Sequence, residues 1–282
     1  MTLTPLPRVM VEPLVRAALL EDLGRAGDLT TDAIVPPDAT ATMVLAARQP
    51  GVIAGLAVAA LAFELIDPRT EVTIIHADGS VVSAGDIIAS VRGPARALLT
   101  AERTALNLLC HLSGISTQTA AIADAVGGHK AKIVCTRKTT PGLRALEKYA
   151  VRAGGGGNHR FGLDDAALIK DNHIAIAGDI RTAIERARAA AGHMVKIEVE
   201  IDTLAQLHVA LAVGVDAVLL DNMSIEQLTE AVAMVDGRAI TEASGRVAVQ
   251  TAPAIAATGV DLISVGWITH SAPILDIGLD CQ

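Results

Sequence analysis

Aromatic residues are nearly absent from this 282-residue chain, which has one Trp, one Tyr and two Phe. Proteins that hold single-stranded nucleic acid stack bases on aromatic rings, so the composition argues against that class. Cysteine is scarce too: Cys110, Cys135 and Cys281 lie far apart and form no CxxC pair. Neither a zinc site nor a disulfide framework is suggested, and a reducing compartment fits. No basic-then-apolar leader opens the chain. The apolar run over residues 49–63 is 15 residues long and contains Gly and Pro. It falls short of the roughly 20 residues needed to span a bilayer. A soluble, cytoplasmic protein is expected. What is plentiful is aliphatic: 51% of residues are apolar and 19% charged, which gives a folded chain with an Ala, Val, Leu and Ile core.

The net charge is −8, yet residues 136–173 carry seven Lys or Arg (Arg137, Lys138, Arg144, Lys148, Arg152, Arg160, Lys170) against four carboxylates (Glu147, Asp164, Asp165, Asp171). That stretch is +3, and the remainder is −11. A basic island in an acidic chain suits a concave anion site better than a nucleic-acid surface, which spreads its charge over a face. Four consecutive glycines, Gly154 to Gly157, precede Asn158-His159-Arg160. Glycine lets backbone N–H groups approach a phosphate, although glycine runs also make plain loops. Arg144, Lys148 and Arg152 follow one another at helical spacing, which suits a solvated face and an anion-binding face equally.

Taken in order, residues 8–23 show helical periodicity ending at Gly24, and GDLTTDAIVPPDA reads as a loop. Strands are expected at 40–48, 71–77 and 86–92, with an apolar helix at 56–66. A long helix follows at 95–117, interrupted by the polar pair Glu102 and Arg103, whose spacing alone reads as a solvated stripe. From Lys132 onward strands and helices alternate. The strands are KIVCT (132–136), ALIK (167–170), KIEVEI (196–201), AVLLDN (217–222), AITEAS (239–244) and LISVG (262–266). Alternation of this kind predicts a parallel sheet with right-handed crossovers, which an open doubly wound sheet and a β/α barrel both satisfy.

Polar groups gather where these strands end. Thr136, Arg137 and Lys138 follow the first strand, and Lys170 closes the second. Glu198 and Glu200 mark the third, Asp221 closes the fourth, Glu242, Ser244 and Gly245 the fifth, and Gly266 the sixth. Parallel strands put these ends on one face, where β/α enzymes place their chemistry. Early cations suit carboxylates or a diphosphate. Glu200 and Asp221 suit a hard cation such as Mg²⁺. Glu198 lies on the same strand face as Glu200, so the spacing leaves open which of them faces the site. Ser244, Gly245 and Gly266 suit a monophosphate held by backbone N–H groups. His159 and His173 lack metal-ligand spacing, and hydrogen bonding to a substrate is expected of them.

The motifs TRKTTPGLRALEKYAV, GGGGNHRFGLDDAALIKDNHI, EVE, LLDN, EASG and GWITHSAPILDIGLD together resemble the quinolinate phosphoribosyltransferases (nicotinate-nucleotide pyrophosphorylases, decarboxylating) from about residue 27 to the C-terminus. The resemblance implies an N-terminal α+β domain (1–114), with the tail 272–282 packing back on it. An incomplete β/α barrel of about seven strands (115–271) would follow. It implies a homodimer with shared active sites, and admits a hexamer of such dimers. It also implies transfer of phosphoribosyl from phosphoribosyl pyrophosphate to quinolinate with decarboxylation, a step of NAD biosynthesis. Arg103 would reach the partner's site, and Thr136, Arg137, Lys138, His159, Arg160 and Lys170 would line the quinolinate and diphosphate region. Glu200 and Asp221 would hold Mg²⁺ and ribose, and Ser244, Gly245, Gly266 and His270 the 5′-phosphate. Lys138, Lys170, Glu200 and Asp221 would be catalytic. Two positions depart from the pattern: Cys135 where an acid commonly precedes TRK, and Arg246 where glycine commonly follows SG. The rivals are a related protein of molybdate transport loci, which diverges at IKDNH, and a non-catalytic phosphosugar sensor on the same scaffold.

Overall fold

The structure, a computed structural model, describes residues 3–282. The chain divides into two compact units, one formed by residues up to 120 with 139–155 and 268–282, the other by 121–138 and 156–267.

The first unit opens with α1 (Arg8–Leu23) and α2 (Leu29–Ile34). The second of these replaces part of the loop expected there: the Asp28 carboxylate accepts from the Thr31 amide at 2.9 Å and starts the helix. Then come β1 (Thr40–Ala47), β2 (Gly51–Val52), α3 (Leu56–Ile66), β3 (Glu71–Ile74), β4 (Val81–Val82), β5 (Ile87–Pro94) and the long α4 (Ala95–Ala125), whose last residues fall in the second unit. β2 and β4 are too short for a periodic signal and form a small ladder of their own. The main sheet is antiparallel, in the order β12-β1-β5-β3, and its strand β12 (Ile277–Cys281) comes from the chain's last residues. β12 pairs with β1 from Met43↔Cys281 to Ala47↔Ile277. An α+β unit results, as the alternation of strand and helix signals predicts.

Gly114 shows how closely this unit is packed. A Cβ there would lie 2.8 Å from Ile274 Cα and 3.0 Å from the Pro273 carbonyl carbon. On an open helix face Gly→Ala stabilises by about 1 kcal/mol. Here the sign should reverse, with Gly114→Ala costing about 1–3 kcal/mol in a urea titration because backbone must move. An unchanged or higher midpoint would mean that the 273–274 segment yields freely.

The second unit contains β6 (Lys132–Val134), then β7 (Ala167–Ile169), α6 (Asp171–Ala177), α7 (Ile180–Ala190), β8 (Ile197–Ile201), α8 (Leu204–Val213), β9 (Ala217–Asp221), α9 (Ile225–Val235), β10 (Ile240–Ser244), α10 (Ala252–Ala257) and β11 (Leu262–Ser264). α5 (Arg144–Ala153), between β6 and β7 in sequence, clusters with the first unit, as does most of α11 (Trp267–His270). All pairings among these six strands are parallel. Their order is β6-β11-β10-β9-β8-β7, so the earliest strand lies beside the latest. Beyond β6, an isolated parallel bridge joins Val134 to Gly157. Among the described residues no helix is long and apolar enough to cross a membrane.

Candidate active site

The inner-face pattern follows from the two-residue period of strands. On β8 it sets Glu198, Glu200 and, just beyond, Asp202 on one side, which answers the question left open by sequence: Glu198 and Glu200 both face in, at different depths. The ladder pairs Leu168 with Glu198, and Lys170 continues that strand two residues on, toward the level of Glu200. On the other side of β9, Ser244 of β10 is opposite Asp221. Parallel pairing therefore delivers Lys170, Glu200, Asp221 and Ser244 to neighbouring strand ends.

Asp221 is held from two directions. Asn222 Nδ2 donates to its Oδ2 at 2.6 Å, and the Ser244 hydroxyl donates to Oδ1 through a short bond. Asn222 takes a left-handed backbone conformation (φ 54°), and its amide donates to the Ser244 carbonyl at 3.0 Å. Gly245 (φ 101°) faces it, and a Cβ would fall 3.0 Å from Asn222 Cα. Glycine is needed there for both conformation and space. Arg246 follows at φ 49°, exposed. Burial and then the nearby Asp221 charge push the Glu200 carboxyl above its ordinary range, while the Lys170 ammonium opposes the shift. Oxygens of Glu200, Asp202 and Asp221 lie within 4.8 Å of one another.

A cationic patch stands beside this acidic one. Burial and the neighbouring Arg137 lower the Arg160 guanidinium from its ordinary value, and Glu198 and Asp165 oppose that shift. Arg160 Nη1 donates to the Ala166 carbonyl at 3.0 Å, but its Nε is buried without a hydrogen-bond partner. Two guanidiniums brought together suit an anion with several oxygens. Asp165 accepts from the Phe161 and Gly162 amides at 2.6 and 2.9 Å and so fixes the turn that follows Arg160. Lys170 ends β7 and caps α6, with its amide donating to His173 Nδ1 at 2.9 Å. That helix was not predicted, because IKDNH reads as a strand end with polar residues after it.

His159 lies deeper, with a protein partner at each ring nitrogen. Its Nδ1 accepts from the Arg160 amide at 2.8 Å, and its Nε2 is 2.8 Å from Glu198 Oε2 and 3.6 Å from Glu242 Oε1. Glu242 is 2% exposed. Burial first, then the Glu198 charge, raise its pKa to about 7, with His159 opposing. His159, Glu198 and Glu242 also form a cluster of metal-ligand type within 4.8 Å. Their polar atoms are engaged with one another, whereas the Glu200, Asp202 and Asp221 set is open and all-oxygen.

The remaining expected residues are accounted for as follows. Thr136 Oγ1 accepts from the Lys138 amide at 3.0 Å, and Lys138 is exposed at the end of β6. Gly266 follows β11, and the indole N–H of Trp267 donates to the Val247 carbonyl at 2.8 Å. Arg103 and His270 belong to the first unit. The Arg103 side chain is 65% exposed and lies 3.9 Å from Glu102, and His270 is exposed and pairs with Ser271. The glycine run has structural grounds of its own. Gly154 ends α5, where a Cβ would meet Thr119 Cβ at 2.8 Å, and Gly157 donates to the Ile133 carbonyl at 2.8 Å while accepting from the Cys135 amide. Cys135 Sγ in turn donates to Asn158 Oδ1 at 3.4 Å. Of the helical cations 144, 148 and 152, Lys148 is fully buried, so the stripe is not a solvated face. Asp202 and the depth of Glu242 were missed, although the period-two acids of IEVEID carried the signal for Asp202.

Sequence profiles of the quinolinate phosphoribosyl transferase N-terminal and C-terminal domains match residues 28–113 and 115–280. The chain belongs to the quinolinate phosphoribosyl transferase family. It is 49% identical over 271 residues to a nicotinate-nucleotide pyrophosphorylase [carboxylating] of Mycobacterium leprae, covering 94% of this chain and 95% of that one. A probable nicotinate-nucleotide pyrophosphorylase [carboxylating] of Bacillus subtilis is 44% identical over 272 residues, covering 96% and 93%. Among solved structures, NadC from Streptococcus pyogenes superposes with a TM-score of 0.95 at 43% identity, covering 99% of each chain. The family's two-domain pattern thus spans nearly all of this sequence, and IKDNH, where the molybdate-linked rival departs, is intact.

Proposed function

We propose that this member of the family transfers phosphoribosyl from phosphoribosyl pyrophosphate to quinolinate with decarboxylation, giving nicotinate mononucleotide, pyrophosphate and CO₂. The observation that carries the reading is a cationic pair, Arg137 and Arg160, acting on Glu198 of β8, with the Lys170 charge acting two residues on at Glu200 beside Asp221. An anion-binding half beside a cation-binding half suits a substrate with a diphosphate at one end and ribose hydroxyls at the other. The strand order, with β6 beside β11 and the gap falling between the chain neighbours β6 and β7, supports an incomplete β/α barrel.

Glu200, Asp202 and Asp221 fit a Mg²⁺ ion: their donors are hard oxygens, close together, and the Glu200 carboxyl is raised by burial first and by the Asp221 charge second. When bound, the ion would supply charge neutralisation at the departing diphosphate. The chain's own groups do the rest. Arg137, Arg160 and Lys170, with Lys138 beside them and His159 behind Arg160, line the quinolinate and diphosphate region, and the cations orient the two substrates in line. Asp221, fixed by Ser244 and Asn222, and Glu200 hold the ribose. Ser244, Gly245 and Gly266 take the 5′-phosphate.

As the anomeric C–O bond to diphosphate breaks, an oxocarbenium-like carbon is attacked by the quinolinate nitrogen. The adjacent pyridinium nitrogen stabilises, as an ylide, the electron pair left on C2 when its carboxylate departs as CO₂. C2 then takes a proton from water.

Incubation with phosphoribosyl pyrophosphate, Mg²⁺ and quinolinate should consume quinolinate absorbance and yield nicotinate mononucleotide, whereas nicotinate in its place should give no turnover. Turnover of nicotinate alone would reject the decarboxylating assignment. Arg103 is proposed to complete the site of a partner copy. Mixing inactive Arg103→Ala and Lys170→Ala subunits should then restore activity, to roughly a quarter of wild type if half the dimers are mixed and each regains one intact site. No recovery in confirmed heterodimers would remove the shared-site proposal.

A further inference from the structure

Two buried carboxylates on the inner sheet face, Glu198 and Glu242, have no place in the substrate contacts just described. They come from different strands, β8 and β10, and both approach the same atom, His159 Nε2, at 2.8 and 3.6 Å. The other ring nitrogen is committed by the backbone. Nδ1 receives the Arg160 amide proton at 2.8 Å, which favours the hydrogen of the neutral ring on Nε2 without fixing it there alone.

We propose that Glu198 and Glu242 are a positioning pair that holds His159 in the Nε2–H form, so that its Nδ1 fixes the Arg160 backbone and aims the guanidinium at the substrate anion. The proposal rests on the functional reading above for what Arg160 binds, but not for the state of the histidine.

Three features support it. Glu198 and Glu242 are 8% and 2% exposed, in a setting where an unpaired carboxylate is costly and an acceptor left without a donor more so. Oxygens of the two acids lie within 4.8 Å of each other, so one charge between them is favoured over two. Arg160, in turn, has its Nη1 tied to the Ala166 carbonyl and its Nε buried with no partner, so its aim depends on the backbone at 159–160. The titratable groups facing the pair are the His159 ring, which donates to it, and the Arg160 guanidinium with Arg137 beside it.

The test joins a spectroscopic readout to a kinetic one. Long-range ¹H–¹⁵N NMR of the full chain labelled at histidine, with the His159 signals identified by their loss in His159→Gln, should show an Nε2–H tautomer at pH 7.5. Glu198→Gln should turn this into a mixture of tautomers and raise KM for quinolinate about tenfold, with kcat within about threefold, as expected when an anion contact is misaimed rather than deleted. A merely structural role would lower thermal stability and leave the tautomer where it was. An Nδ1–H form or an imidazolium in the wild-type chain overturns the proposal outright. So does a variant in which only one of tautomer and KM moves. Should Glu198→Gln not fold, Glu242→Leu carries the same two readouts. If the wild-type chain consumes no quinolinate, the functional reading falls, and the histidine spectrum still decides the pair.

Discussion

Lys170→Ala is expected to lower kcat/KM by about 10²-fold or more while leaving the fold intact. The side chain is exposed and its truncation empties no core space. Its backbone is held independently of its charge, by the His173 ring at 2.9 Å and by the start of α6. What the substitution removes is a preorganised positive charge close enough to Glu200 to oppose the rise of that carboxyl. Such a charge acts where negative charge develops on a leaving group, so its loss appears in the transition state more than in ground-state binding. Lys170→Arg keeps the charge with a different reach and should recover only part of the rate. Steady-state kinetics with both substrates, beside a thermal melt, separate the cases. A kcat/KM within about tenfold of wild type, with an unchanged melt, would remove Lys170 from the proposed machinery.

The second large effect concerns Asp221. Its carboxylate is positioned by Ser244 and Asn222, and together with Glu200 and Asp202 it concentrates negative charge at one strand end. A divalent cation would offset that repulsion. Mg²⁺ should therefore raise the melting temperature of the wild-type chain in a concentration-dependent way, by about 1.4 kcal/mol of added stability at ten times its Kd. Asp221→Asn keeps the shape and the hydrogen-bonding size while removing one charge. It should abolish the Mg²⁺ shift and lower kcat/KM by about 10²-fold or more. A variant that still gains stability from Mg²⁺ as the parent does would place the cation elsewhere. Calcium in place of magnesium gives a useful contrast, because the larger ion tolerates irregular oxygen shells.

Much of this was legible in the residues before any coordinates, for a physical reason. The β/α half repeats one grammar: an apolar run, a polar residue at its end, a helix, and a Gly-bearing turn. Six such runs were readable, and the helix N-caps Asp179, Thr203 and Ser224 mark the helix starts with side-chain oxygens on the amides three residues on. Lys170, Glu200, Asp221 and Ser244 were readable as strand-end groups because parallel pairing sends all such ends one way. Three things were not. The short helices α2 and α6 were hidden, since six or seven residues carry too little periodicity to outweigh Asp, Asn and Thr. The glycines 154–157 invited a phosphate reading, yet Gly154 is required by close approach to the Ser116 backbone, which leaves no mark in a linear sequence. Nor does spacing reveal depth. Glu242 looks like any strand acid until its strand is seen to be buried on both sides, where it meets a histidine 83 positions earlier in the chain.

The pairing of β12 with β1 has a consequence for how the protein is made. The strand that completes the first sheet is translated only after the second unit, so β1 waits through the synthesis of that unit with one edge unpaired. A premature stop that deletes only residues 277–282 would leave the proposed chemistry in the second unit untouched, but it would release a chain with a permanently open hydrogen-bonding edge. Such a product should collect in the insoluble fraction.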